Sequence, residues 1–241
     1  MNAIPLPLPN SRRRSHIMTI QPMDFDHRQD SLLTISEIVA YSYSPVFVPS
    51  KLEESYINTV IALARHADSL GTKNSTHISR TATLARAMGR KIGMDHSDQE
   101  TLSMAGLLHD VGKAFIPENI LTKPSDLTPA EWSIMQQHPA LGVKILHPVK
   151  KFQPVLPIIL SHHEHFDGSG YPNGQKGDDI PLGARIICVV DAFTVMTAGR
   201  AYQHEMTRDE AIAELKRCSG THFDESIVNT FTEMLMNKED L

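Results

Sequence analysis

Histidine and aspartate residues follow apolar stretches at several points along this 241-residue chain. His109 and Asp110 come directly after the largely apolar residues 102–108. Burying an imidazole and a carboxylate costs free energy unless a partner satisfies both, and a divalent metal ion is one such partner. For His109 and Asp110 taken alone, capping of a helix end is the simpler explanation. The same pattern of residue types recurs at His77, His138, His162, His163 and Asp191.

These positions lie 24 to 32 residues apart, about the length of one helix and one connection. Side chains on facing helices of a bundle can converge in its core. Five imidazoles and two carboxylates are more ligands than one ion needs, and they suit two ions with Asp110 free to bridge them. Because no thiolate accompanies these nitrogen and oxygen donors, iron or manganese fits better than a structural zinc.

Helix signals are dense from Ser50 onward. A serine or threonine precedes a glutamate by three residues at four places, which is the spacing of a capping box. These pairs are Ser50 with Glu53, Ser97 with Glu100, Thr128 with Glu131, and Thr207 with Glu210. Between these starts, apolar residues recur with helical period and strand alternation is nearly absent. The sequence therefore predicts an all-α bundle of seven or more helices.

Residues 1–49 differ from the rest of the chain. They hold Pro5, Pro7 and Pro9 and three consecutive arginines at 12–14. Short terminal segments of this composition are commonly irregular. We predict a largely irregular N-terminal extension over residues 1–49 and a catalytic domain over residues 50–241.

Composition narrows the classes of partner. The formal net charge of −5 gives no electrostatic reason to expect duplex nucleic acid or an anionic membrane. No apolar run approaches the roughly 20 residues that span a bilayer, and no apolar stretch follows the arginines to form a secretory signal. Cys188 and Cys218 form no CxxC pattern and are expected to be reduced. We therefore expect a cytoplasmic protein.

Two motifs carry a resemblance to a known family. HDVGK at residues 109–113 resembles the HDxGK motif of the HD superfamily of metal-dependent phosphohydrolases. HHEHFDGSGYP at residues 162–172 resembles the HHExxDGSGYP signature of the HD-GYP family of bacterial cyclic di-GMP phosphodiesterases. This signature opens a segment, residues 168–183, whose five glycines and two prolines predict an irregular loop. The similarity covers about residues 70–232.

The resemblance implies an HD-domain helical bundle with a Gly-rich GYP loop. It also implies a phosphodiesterase of second-messenger signal transduction, which hydrolyses cyclic di-GMP to pGpG or GMP through a hydroxide bridging two divalent ions, iron or manganese. Asp110 and Lys113 would then be catalytic. The implied metal ligands are His77, His109, Asp110, His138, His162, His163 and Asp191. The implied substrate contacts are Lys113, Arg200, Gly170, Tyr171 and Pro172.

The chain departs from the family pattern at two places. Members with three metals carry a glutamate four residues before the first ligand histidine, where this chain has Lys73, so two ions are expected. The segment that usually resembles DxFDALTSDRPYR reads DAFTVMTAGRAYQ at residues 191–203. Thr194 and Gly199 replace its second and third acidic residues, so substrate preference or rate could differ from the family's.

Several roles stay open at this point. Glu164 and Asp167 either orient imidazoles or fix the loop, and Tyr171 either stacks on a base or packs beneath the loop. Lys113 and Arg200 have surface and salt-bridging alternatives to phosphate contact. Six other histidines are expected to be surface or packing residues; they are His66, His96, His147, His165, His204 and His222.

Three functions also stay open. One is cyclic di-GMP hydrolysis, a second is phosphohydrolysis of another cyclic or linear nucleotide, and a third is binding of cyclic di-GMP or a partner without turnover. The complete ligand set argues against the third, whereas Thr194 and Gly199 keep it open. We further expect a homodimer formed through the N-terminal helix and, by family analogy, a diguanylate cyclase or other signalling protein docking near Tyr171.

Overall fold

Helices supply nearly all regular structure in the computed structural model, which describes residues 50–71, 76–198 and 205–237. The α-helices are α1 Ser50–Gly71, α2 His77–Lys91, α3 His96–Leu108, α4 Glu118–Leu121, α5 Pro129–Met135, α6 His138–Leu146, α7 Leu156–Ser161, α8 Leu182–Ala198, α9 Arg208–Arg217 and α10 Glu225–Met236. Short 3₁₀ helices cover Val111–Phe115, Lys150–Val155 and Gly177–Asp179. Across these residues the β-contacts amount to one isolated bridge, between Ser219 and Phe223. The predicted all-α bundle of seven or more helices is confirmed.

Some predictions fall outside the described residues. They are the N-terminal extension at residues 1–49 and the roles of Lys73, Gly199, Arg200 and His204. The described residues belong to one compact unit. Among the helices that the structure describes, none is both long enough and apolar enough to cross a membrane.

Side-chain caps set several helix starts. Thr128 and Thr207 each form the predicted capping box with the glutamate three residues later. The capping box predicted for Ser97 and Glu100 is wrong. Asp95 is the cap of α3 instead, and its carboxylate accepts the N–H of Asp98 at 2.9 Å. Aspartate caps a helix as well as serine does, and α3 is capped by Asp95, two residues before Ser97.

The core is built around α8. Residues 186–190 of this helix are all buried, and α8 packs against α2, α3, α7, α9 and α10. Each fully buried aliphatic side chain of this kind contributes about 1.5–3 kcal/mol. Asp191 follows directly, and because α8 continues to Ala198, its carboxylate is carried into the interior in mid-helix. Packing of residues 186–190 in the core thus fixes the position of Asp191, a candidate metal ligand.

Glycine permits the closest backbone approaches near the site. Gly106 of α3 lies against α2, where an added Cβ would be 2.7 Å from the Cα of Ala82. Gly112, in the 3₁₀ helix after Asp110, lies against α6, where a Cβ would overlap the carbonyl oxygen of His138. These contacts are with backbone, which cannot move aside as a flexible side chain can. Gly112 therefore sets how near Asp110 lies to α6.

Candidate metal centre

Seven polar side chains meet in the interior in two groups. The first group is Asp110, His138, His162 and His163. The second group is His77, His109 and Asp191. Within each group the candidate ligand atoms all lie within 4.8 Å of one another. The structure thus brings together all seven residues proposed from the sequence as metal ligands, and it takes them from α2, α6 and α8 and from the ends of α3 and α7.

Three of these histidines are oriented by the same device. In each, Nδ1 lies within hydrogen-bond distance of the carbonyl oxygen three residues earlier, in the last turn of a helix. The distances are 3.0 Å from His109 to Gly106, 2.8 Å from His138 to Met135, and 2.7 Å from His162 to Ile159. Such carbonyls lack a donor within their own helix. Because a carbonyl oxygen only accepts, Nδ1 must carry the hydrogen, and the lone pair of the neutral ring lies on Nε2.

The Nε2 atoms in the first group face one another. Nε2 of His138 lies 3.4 Å from Nε2 of His162 and 3.2 Å from Oδ1 of Asp110. Burial, which outweighs the opposing effect of the Asp110 carboxylate, lowers the pKa of His138 to about 4, so this ring is neutral at pH 7. With both Nδ1 atoms committed to carbonyls, the two rings face each other through Nε2. A shared cation satisfies both nitrogens, so these residues fit a divalent metal ion.

Charge is concentrated in the second group. Nε2 of His109 lies 3.2 Å from Oδ1 of Asp191, and Nε2 of His77 lies 2.9 Å from the same oxygen. Burial opposes charge on His109, but Asp110 and Asp191 hold its pKa well above the ordinary value. Burial also opposes ionisation of Asp191, yet His109 and His77 hold its pKa well below the ordinary value. Despite the short distances, Nε2 of His109 and Oδ1 of Asp191 are buried without a hydrogen bond of ordinary geometry, which suits a cation between them.

Asp110 connects the two groups. Its Oδ1 faces His138 of the first group, while its Oδ2 lies 3.3 Å from Nε2 of His109 in the second group. Oδ2 also accepts a hydrogen bond from Nζ of Lys113 at 2.6 Å. Burial raises the pKa of Asp110, but Lys113 and His109 more than offset this and keep the pKa well below the ordinary value. An ionised carboxylate with one oxygen toward each group is what a bridging ligand requires.

The loop after His163 is fixed by two carboxylates. Glu164 is 2% exposed, and it accepts the backbone N–H groups of Asn173 at 2.7 Å and Gln175 at 3.1 Å. Burial raises the pKa of Glu164 against these hydrogen bonds. Asp167 accepts the N–H of Ser169 at 2.9 Å. The sequence left two roles open for Glu164 and Asp167. Their contacts are those of residues that fix the loop, not of residues that orient an imidazole.

This loop places Tyr171 against the first group. The Tyr171 ring stacks on His163 with centroids 4.9 Å apart and 26° between the planes. Gly170 makes this possible, because a Cβ there would lie 2.5 Å from the carbonyl oxygen of His163. One face of Tyr171 is therefore used in packing. Tyr171 also meets Trp132 in a T-shaped contact with ring centroids 6.0 Å apart.

The comparison with known proteins decides the family. A family model described as HD domain matches residues 58–227. This chain belongs to the HD-domain family. One relative of this HD domain is a 3'3'-cGAMP-specific phosphodiesterase of Vibrio cholerae, 36% identical over 184 residues, which cover 76% of this chain and 35% of the relative. Another is a cyclic di-GMP phosphodiesterase response regulator of Xanthomonas campestris, 35% identical over 75% of this chain and 48% of the relative.

Solved structures share the HD-domain fold. A cyclic GMP-AMP-specific phosphodiesterase of Vibrio cholerae superposes with a TM-score of 0.60 at 20% identity, over 76% of this chain and 49% of that chain. An HDG"Y"P protein of Bdellovibrio bacteriovorus superposes with a TM-score of 0.59 at 21% identity, over 77% of this chain and 65% of that chain. The HD-GYP resemblance predicted from the sequence is confirmed. The chain spans about half the length, or less, of the curated relatives named here.

Divalent metal binding is a property of the HD-domain family, and the two ligand groups of this chain could each hold an ion. Five of the other histidines lie in the described part of the chain and outside both groups. His66 and His96 are exposed, His147 is half-buried, and His165 and His222 pack on each other with ring centroids 3.7 Å apart.

Thr194 occupies one of the positions at which this HD domain departs from the family pattern, and it contacts a candidate metal ligand. It is fully buried, and its hydroxyl donates to the carbonyl oxygen of Asp191 at 2.9 Å. That hydroxyl is also 3.2 Å from Nδ1 of His77 and 2.9 Å from the hydroxyl of Thr81. Since its own hydrogen points to the Asp191 carbonyl, Thr194 accepts from Nδ1 of His77. A neutral hydroxyl therefore orients this imidazole and leaves Nε2 facing Asp191.

We expect Thr194→Val to weaken metal binding at the second group selectively. The change keeps the side-chain volume but leaves Nδ1 of His77 without its acceptor, and losing such a supporting hydrogen bond lowers metal affinity about 10–100-fold. Manganese titration by calorimetry measures this as one weakened site beside one unchanged site. Thr81→Val is the matched control. It removes a neighbouring buried hydroxyl that contacts Thr194 and the backbone carbonyl of His77, whereas the contact to the His77 imidazole belongs to Thr194. Equal affinities in Thr194→Val and the unaltered chain would contradict the expectation.

Proposed function

We propose that this HD-GYP domain is a metal-dependent phosphodiesterase that hydrolyses cyclic di-GMP to pGpG or GMP. The observation that carries the proposal is the pair of ligand groups joined by Asp110. Oδ1 of Asp110 faces the first group and Oδ2 faces the second. Two ions held a short distance apart are a common device for cleaving phosphodiesters.

We assign one ion to each ligand group, with Asp110 shared. Iron or manganese suits this set because all donors are imidazole nitrogens and carboxylate oxygens. When bound, the two ions would lower the pKa of a coordinated water and neutralise charge on the phosphoryl oxygens. The protein contributes the orientation. Helix-end carbonyls fix three imidazoles, and Thr194 fixes a fourth.

Lys113 is the proposed contact for the scissile phosphate. Its ammonium pairs with Oδ2 of Asp110 at 2.6 Å and its side chain is 21% exposed, so it stands at the edge of the site. A lysine there acts as a mobile point charge toward negative oxygens. Arg200, which lies outside the described residues, is proposed as a second phosphate contact by motif position. Gly170, Tyr171 and Pro172 remain proposed substrate contacts on the same basis.

A second candidate substrate is 3'3'-cGAMP. The observation that favours it is the Vibrio cholerae relative of that specificity, which is as similar to this chain as the cyclic di-GMP phosphodiesterases are. Binding without turnover has less support, because a pure binding domain does not require seven convergent ligands. A cytoplasmic location, a homodimer and a diguanylate cyclase or other signalling partner remain predictions.

The direct test is hydrolysis by the purified chain, prepared without oxygen and loaded with Fe(II) or Mn(II). Cyclic di-GMP and 3'3'-cGAMP are incubated separately and the products are separated by chromatography. The double variant His109→Ala, Asp110→Ala removes one residue from each group and serves as the inactive control. We expect pGpG or GMP from cyclic di-GMP with the unaltered chain and no product with the variant.

Two results would contradict the proposal. If metal binds but both cyclic dinucleotides survive, the metal centre stands and the substrate class is wrong. If the double variant hydrolyses them as fast as the unaltered chain, the activity does not belong to this site.

A further inference from the structure

Trp132 lies on a helix that contributes nothing to the core. None of the residues of α5 is buried, and Trp132 itself is 45% exposed. The helix is nevertheless held firmly. Glu131 closes the capping box with Thr128 and also pairs with Lys123 at 2.5 Å. A short helix that buries no residue gains little from packing, so the cap and this ion pair are what stabilise the helix that carries Trp132.

The position of Trp132 is defined by aromatic contacts. Its indole and the Tyr171 ring form a T-shaped pair, with ring centroids 6.0 Å apart and 78° between the planes. Tyr171 in turn stacks on His163 of the first ligand group. The indole therefore stands two ring contacts away from a proposed metal ligand. Much of its surface remains open to solvent beside the site where a phosphodiester would bind.

We infer that Trp132 is a stacking platform for one purine base of the cyclic dinucleotide. The inference rests on the proposed function and deepens it by naming a residue that recognises the base. Exposed aromatic side chains bind nucleobases through their faces, and every base offers such a face. Trp132 therefore adds affinity for cyclic di-GMP and 3'3'-cGAMP alike, and discrimination between guanine and adenine depends on other residues.

Steady-state kinetics of Trp132→Leu and Trp132→Phe tests this role. Leucine keeps an apolar side chain but has no aromatic face, whereas phenylalanine keeps a smaller one. We expect Trp132→Leu to raise KM about tenfold for both cyclic dinucleotides, within the range that one stacked base contributes, with kcat little changed. Trp132→Phe is expected to recover most of the loss. Metal content is measured in parallel and is expected to be the same in all three proteins.

Tryptophan emission gives a second readout, because Trp132 is the one tryptophan in the chain. We expect its fluorescence to fall when metal-loaded protein is mixed rapidly with either cyclic dinucleotide, before product forms. This signal reports binding at Trp132 whether or not hydrolysis follows.

The inference and the proposed function can fail separately. If the unaltered chain hydrolyses neither dinucleotide, the proposed function fails. If, in addition, neither dinucleotide changes the Trp132 fluorescence, the platform is overturned as well. If hydrolysis occurs but KM is the same in Trp132→Leu, the platform alone is wrong. A fall in kcat or in metal content with unchanged KM would also overturn it, since that pattern belongs to a structural role.

Discussion

Replacing Asp110 with asparagine is expected to abolish hydrolysis and to remove at least one of the two metal ions. The substitution keeps the size of the side chain but removes the negative charge that both ligand groups face through Oδ1 and Oδ2. Loss of a group that only supports a ligand lowers metal affinity or activity by about 10–100-fold, so loss of a bridging ligand should exceed a hundredfold in kcat/KM. Metal analysis of the purified variant and the chromatographic assay measure both effects.

An exposed acid provides the control for Asp110→Asn. Asp179 stands on the surface and outside both ligand groups, so Asp179→Asn makes the same chemical change away from the site. We expect this control to keep two ions per chain and full activity. Two bound ions and undiminished turnover in Asp110→Asn would show that Asp110 does not bridge the groups.

Gly112→Ala is expected to have the largest effect on stability. A Cβ at this position would overlap the carbonyl oxygen of His138 and lie 2.6 Å from the backbone nitrogen of Gly142. Since all of these atoms are backbone, the turn must move away from α6. Overpacking of this kind costs about 3 kcal/mol or somewhat more, which lowers the midpoint of thermal unfolding by about 6–12 °C in a domain of this size. The displacement would also separate Asp110 from His138 and weaken metal binding.

Gly142→Ala is the matched control, since it adds the same methyl group to the facing helix. Its nearest neighbour is a side-chain methyl carbon of Ile159 at 3.1 Å, which can adjust by a few tenths of an ångström. We expect a change of about 1 kcal/mol or less, measured by calorimetry of both variants under identical conditions. If Gly112→Ala unfolds no earlier than Gly142→Ala, the close approach of the turn to α6 does not constrain the fold.

The sequence predicts the candidate ligands because each belongs to a pattern that is local in the chain. An apolar helix ending in a histidine is visible within about ten residues, as at His109 and His162. The orienting device is just as local, because the carbonyl that each Nδ1 contacts lies three residues earlier. The two capping boxes with threonine are equally short-range, and both form.

Other features of the site depend on contacts between distant parts of the chain. Thr194 meets His77 across 117 residues, so a position that in the motif shows only a missing carboxylate holds a hydrogen-bond acceptor for this imidazole. Trp132 of α5 meets Tyr171 of the Gly-rich loop, a contact that neither segment reveals by itself. The role of Gly112 depends on the backbone of α6, which no spacing within the HDVGK motif reveals. Packing partners decide these roles, and a single sequence does not state them.

Anomalous X-ray diffraction from crystals of the manganese-loaded chain, recorded on both sides of the manganese absorption edge, tests the central claim most directly. Two anomalous peaks per chain are predicted, one in the group of Asp110, His138, His162 and His163 and one in the group of His77, His109 and Asp191. A carboxylate oxygen of Asp110 should contact each peak. A single peak, or peaks away from these two groups, would contradict a two-metal centre bridged by Asp110.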